Sequence, residues 1–196
     1  MARSTILILV LVFEAALVGL ALLLYRPLGV EPNPLRLVHA TWRTTLVGLL
    51  CGTVLFIAVA ASLRLEWSPI ASLRNDIEVV VTEVFGNSRL IDFVFISAAA
   101  GIGEEILFRG VMQPGLLACW GVAAGLIITS LVFGFIHYVS FAYAVYASVI
   151  GAVFGVLVIA FGNLWTPIVA HATYDCVALV VLTRDATRVF GASPAG

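Results

Sequence analysis

Long apolar runs limit what this chain can become more than any other feature. Residues 5–25, 44–63 and most of 90–182 carry almost no charge, and 62% of the 196 residues are hydrophobic while 11% are charged. At 1.5 Å per residue, about 20 residues of helix cross the roughly 30 Å of bilayer hydrocarbon. Inside lipid the backbone must satisfy its own hydrogen bonds, and runs without strand-like alternation do so as helices. The expected fold is therefore all-α: a polytopic membrane helix bundle forming one domain over 1–196. Six transmembrane helices are predicted at 5–25, 44–63, 90–113, 121–138, 141–161 and 165–182. Between the second and third, residues 64–89 hold most of the remaining charge. Their centre, 77–85, mixes four valines with Asp76, Glu78 and Glu83, which predicts an amphipathic helix lying at the interface.

This layout divides the chain into an N-terminal part (1–89), a four-helix core (90–182) and a tail (183–196). The run after Arg3 is too long for a secretory leader and shows no small-residue cleavage site before Tyr25, so it is read as a retained span. Trp42, Trp67, Trp120 and Trp165 fall at span ends, where aromatic belts form. Thr166 is expected to cap the last helix, with Pro167 in its first turn. With six spans both termini share a face. Arg3, Arg64, Arg74, Arg89, Arg184 and Arg188 lie on it against Arg26, Arg36 and Arg43 opposite, which puts the termini in the cytoplasm. All ten basic residues are arginine and the net charge is −1, which argues against a nucleic-acid partner. Cys51, Cys119 and Cys176 show no CxxC or CxxH spacing and read as small hydrophobes rather than disulfides or metal ligands.

Charge inside such runs is costly enough that function is the default reading. The stretch GIGEEILFRG, residues 101–110, places two carboxylates and an arginine in one span. At about 100° per residue, Glu105 and Arg109 lie about 40° apart and can pair, while Glu104 points about 140° away and keeps no ion partner. A carboxylate in that position is suited to general base or acid chemistry. The plain alternative is a structural ion pair with a spare Glu near a membrane face. Just before the pair, Ser97, Ala98, Ala99, Ala100, Gly101 and Gly103 form a small-residue face that admits another helix backbone. Glu14, in the first span, must face the bundle, as a hydrogen-bonded structural residue or a supporting acid.

No Asp, Glu, Lys or Arg occurs between Gly110 and Tyr174, yet His137 and His171 do. His137 follows Phe133 by one helical turn. His171 precedes Asp175 by one turn, so the carboxylate can orient the imidazole and select its tautomer. Two histidines with an unpaired Glu favour a site over isolated helix-to-helix hydrogen bonds.

EEILFR, FGFIH and HATYD resemble the three ordered motifs EExxxR, FxxxH and Hxxx(N/D) of the CPBP intramembrane proteases, which include the CAAX prenyl endopeptidases and the bacterial Abi proteins. The likeness extends to FRG after the Glu pair and to GNLWTPIVAH before the last motif. It implies an integral protein of a bacterial inner membrane that hydrolyses a peptide bond near the C-terminus or membrane anchor of a protein substrate. By motif position Glu104 would activate water and His137 would help to hold it. His171 and Asp175 would serve the oxyanion side, and Glu105, Arg109 and Phe133 would support them. Where the family tends to have Asn, this chain has Asp175, which when ionised accepts hydrogen bonds but cannot donate them.

Zinc held by Glu104, His137 and His171 is the alternative chemistry. There is no HExxH, however, and a ligating Glu104 would force Glu105 to leave Arg109, so a metal-free mechanism with no cofactor is favoured. No GxSxG is present, and Cys176 lies off the face of His171, against serine and cysteine routes. A proton-coupled carrier would also use buried Glu and His, but no internal duplication is evident. A non-catalytic scaffold or immunity protein is the third reading. Counted from one membrane face with these boundaries, Glu104 lies about 14 Å deep, His171 about 9 Å and His137 about 24 Å. A shared site therefore requires tilt or different helix ends.

Overall fold

The computed structural model describes residues 3–184, which are helical apart from short turns and connectors. Five stretches are long and apolar enough to cross a membrane: Arg3–Leu24 (α1), Trp42–Ser62 (α2), Leu90–Ile136, Phe141–Phe161 (α6) and Trp165–Arg184 (α7). The third comprises α4 (Leu90–Leu107), a π-helical turn (Phe108–Met112) and α5 (Gln113–Ile136), and it holds two passes rather than one. At Gly121 the backbone takes φ 82° and ψ 171°, which no helix contains. The chain doubles back there so closely that a Cβ on Gly125 would meet the backbone of Leu117. A straight helix would separate those two residues by about 12 Å.

The reversal corrects the predicted end of the third span. Pro114 and Gly115 read as the break, because proline lacks an N–H and crowds the carbonyl four residues back. Instead the helix runs through to Trp120. In the π turn the Gln113 N–H bonds to Phe108 O, five residues earlier, and the widened turn takes in Pro114 without stopping the helix. Moving the turn to Gly121 also removes the depth conflict. Glu104 and His137 then lie about 17 and 16 residues from it on antiparallel arms, each about 25 Å along its helix.

The small-residue face on α4 does what its composition suggests. A Cβ at Gly101 would meet Ile168 O and Ala172 of α7, and one at Gly103 would overlap Glu14 of α1. Without water to drive apolar surfaces together, such close backbone approach is the main source of helix association in lipid. Farther along, Arg3 of α1 grips Asp92 at the start of α4 through two bonds, one of them Nη2 to Oδ1 at 2.6 Å. Asp92 also accepts the Arg89 backbone N–H.

Helix α3 (Ser68–Phe85) is not among the spans. It begins earlier than the predicted centre and buries Ile70, Leu73 and Val81 toward α6 and α7. The cap of α7 also differs from expectation. Asn163 Oδ1, not the Thr166 hydroxyl, caps the helix start by accepting the Thr166 N–H, while its amide donates to His39 O. The predicted tail, with Arg188, lies from residue 185 onward outside the described residues.

Candidate active site

The end of α4 and the π turn place Glu104, Glu105 and Arg109 in the interior of the bundle, all buried. Arg109 Nη1 donates to Glu105 Oε1 at 3.1 Å, the pairing expected from i, i+4 spacing. Its Nη2 donates to Gly151 O of α6 at 2.7 Å, and the guanidinium lies over the Phe133 ring at 4.4 Å. One turn on, Gln113 Nε2 donates to Gly155 O at 3.0 Å. These two side chains clamp the π-turn region to α6 through backbone carbonyls.

Glu104 is aimed elsewhere, as its helical angle requires. Its nearest ionisable neighbours are imidazoles: His137 Nε2 lies 3.5 Å from Oε1, and His171 Nε2 lies 3.9 Å from Oε2. His137 ends the returning arm of α5, and Gly121 is what brings it there. Its Nδ1 meets Phe133 O at 2.8 Å. A carbonyl only accepts, so Nδ1 carries the hydrogen and neutral His137 offers a bare Nε2 to Glu104.

His171 is held from three sides. Its Nδ1 lies 2.9 Å from Glu105 Oε1, its Nε2 lies 3.3 Å from Asp175 Oδ2, and its ring stacks on Phe154 with centroids 4.7 Å apart. Asp175 therefore reaches the imidazole as its spacing predicts. The tautomer, however, is set by Glu105, whose oxygen receives both Arg109 and the His171 Nδ1–H. Glu105 was legible only as the partner of Arg109, because its second contact crosses to another helix. Phe133 packs against both imidazoles, 4.5 Å from the His137 ring and 6.1 Å from that of His171.

The residues of the three motifs thus lie together. Glu104, His137, His171 and Asp175 line one wall of a cavity of about 250 Å³. The rest of its lining is mostly apolar, with Phe56 of α2, Leu73 and Ile77 of α3 and Ile150 of α6 among its residues. Three tyrosines that sequence reasoning passed over, Tyr143, Tyr146 and Tyr174, also line it. Tyr143, Tyr146 and Ile150 recur at helical spacing on α6, and that spacing was the available signal. Glu14 is buried behind the wall against Gly103, and its Oε2 has no hydrogen-bond partner.

A carboxylate and two imidazoles with their outer nitrogens already engaged, beside a largely apolar cavity, make an arrangement that can accept and pass on a proton. Residues 86–177 match the family described as type II CAAX prenyl endopeptidase Rce1-like. No curated protein and no solved structure matches the chain.

Proposed function

Since the chain belongs, through residues 86–177, to the type II CAAX prenyl endopeptidase (Rce1-like) family of membrane proteases, we propose that Glu104 is the base that activates the hydrolytic water. One observation carries this reading. His137 Nε2 faces Glu104 Oε1 at 3.5 Å while its Nδ1 is tied to Phe133 O. Two acceptors cannot bond to each other, and a water seated beside both can donate one hydrogen to each. As the water oxygen attacks the scissile carbonyl carbon, its proton passes to Glu104. Collapse of the tetrahedral intermediate breaks the C–N bond, and the same proton leaves with the amine. His171 is held beside this centre by Glu105 and Asp175, and Arg109 holds Glu105.

The substrate is a membrane-associated protein presented as an extended segment, because a helix's own hydrogen bonds shield its carbonyls. The apolar trough suits lipid-like or aliphatic groups next to the scissile bond. We read the mechanism as metal-free. If Glu104 were a ligand, Glu105 would have to serve as base, and it is already committed to Arg109 and to His171 Nδ1.

The test is cleavage of an internally quenched prenylated CAAX peptide by the purified protein in proteoliposomes. Glu104→Gln should lower kcat by about 10²–10⁴-fold, the range for loss of a general base. Cleavage at the parental rate would remove Glu104 from the mechanism. A variant that alters pH-dependent ion flux while neither protein cuts peptide would instead indicate a carrier.

A further inference from the structure

The wall that faces the substrate is rich in acceptors and poor in donors. His137 Nδ1 gives its hydrogen to Phe133 O and His171 Nδ1 gives its own to Glu105. Each neutral imidazole therefore presents only a lone pair at Nε2. Glu104 and Asp175 add carboxylate oxygens. A proton placed on His171 Nε2 points at Asp175 and Glu104, 3.3 and 3.9 Å away. Yet attack on a carbonyl creates an oxyanion, and a buried oxyanion needs a donor aimed at it.

The remaining hydroxyls on the cavity are the three tyrosines. Tyr146 OH is engaged with Ser62 Oγ at 2.9 Å. Tyr174 packs beside Phe154 and Ala170, in the cluster that takes in Cys51 and Leu55 of α2. Tyr143 differs from both. It stands in the first turn of α6, close in sequence to His137, with its ring steadied by the cluster of Leu63, Ile70 and Leu73. It lines the cavity together with Glu104, His137 and Asp175.

We propose that the Tyr143 hydroxyl is the neutral donor that receives the oxyanion of the tetrahedral intermediate, a role Asp175 cannot fill. The phenol donates a hydrogen bond and keeps its proton. The water proton still travels through Glu104 to the leaving amine, so no further acid or base is required. This inference rests on the hydrolytic reading above and extends it to the residue that binds the developing charge.

Tyr143→Phe keeps the ring and removes the donor. With the same quenched CAAX peptide it should lower kcat by about 10²-fold, the loss seen when one oxyanion donor is removed, and leave KM within twofold. Asp175→Asn places an amide donor beside His171 and should shelter the site, so that Tyr143→Phe costs less than threefold in that background. An unchanged kcat for Tyr143→Phe, a change confined to KM, or an equal loss in both backgrounds would overturn the proposal. The melting temperature of each variant, within 2 °C of the parent by the design of the substitution, separates folding from chemistry. Glu104→Gln serves as the independent arm. If it is inactive while Tyr143→Phe is fully active, the base assignment stands and the tyrosine assignment falls.

Discussion

Removing either member of the Glu105–Arg109 pair should be among the most damaging changes outside the reacting groups, and the two losses should be strongly coupled. Both side chains are fully shielded from solvent. Breaking a buried pair by deleting one partner strands the other charge and costs about 3–5 kcal/mol. The surroundings decide where in that range each variant falls. Arg109→Ala leaves Glu105 with the His171 Nδ1–H at 2.9 Å, so the carboxylate keeps a donor and the cost should lie near 3 kcal/mol, about a hundredfold in the folding constant. Glu105→Gln leaves the guanidinium with Gly151 O and the Phe133 face but no anion of its own, which should cost near 5 kcal/mol and also release His171. The double variant Glu105→Gln/Arg109→Ala strands nothing charged. It should lose less than the sum of the singles by about 2–3 kcal/mol, the upper range for groups in one network. Equilibrium unfolding of the four proteins in mixed micelles measures the cycle. Additivity within about 0.5 kcal/mol would refute the coupled buried network.

Other outcomes follow from the same packing. Gly103→Ala drives a methyl into Glu14 and should destabilise the bundle by about 1–3 kcal/mol, whereas Ala99→Gly on the same helix should cost about 1 kcal/mol or less; thermal unfolding in detergent reads both. Phe133→Ala removes the ring beneath Arg109 and beside both imidazoles and should cost about 3–5 kcal/mol, with kcat falling in the surviving folded fraction. Exhaustive chelation followed by activity assay should leave cleavage unchanged. Activity that is lost on chelation and restored by stoichiometric zinc would favour the metal-ligand reading of Glu104, His137 and His171.

Much of this site was readable because helical geometry is local. The angle between Glu104 and Arg109 depends on four residues of one helix, and the chain obeys it even where a π turn begins. The i, i+4 approach of Asp175 to His171 is equally local. What escaped notice depends on contacts between helices. Pro114 looked like a terminator, and nothing in the string announces that a π turn accommodates it or that Gly121, an unremarkable glycine in an apolar run, is the true reversal. The depth conflict among Glu104, His137 and His171 is itself informative, since a shared site requires a helix boundary to move. Glu105 has the same lesson in miniature: its bond to Arg109 runs along the helix and was visible, while its bond to His171 crosses between helices and was not. Glu14 and Gly103 were each noticed, but only the packing of α1 on α4 joins them.

The most direct test of the central claim is an experimental density map of the protein in a lipid nanodisc, at a resolution that shows ordered solvent. The account predicts one water within hydrogen-bonding distance of both Glu104 Oε1 and His137 Nε2, with His171 Nδ1 bound to Glu105. Imidazoles turned into lipid, or a single strong peak about 2.0–2.1 Å from Glu104, His137 and His171 together, would contradict it.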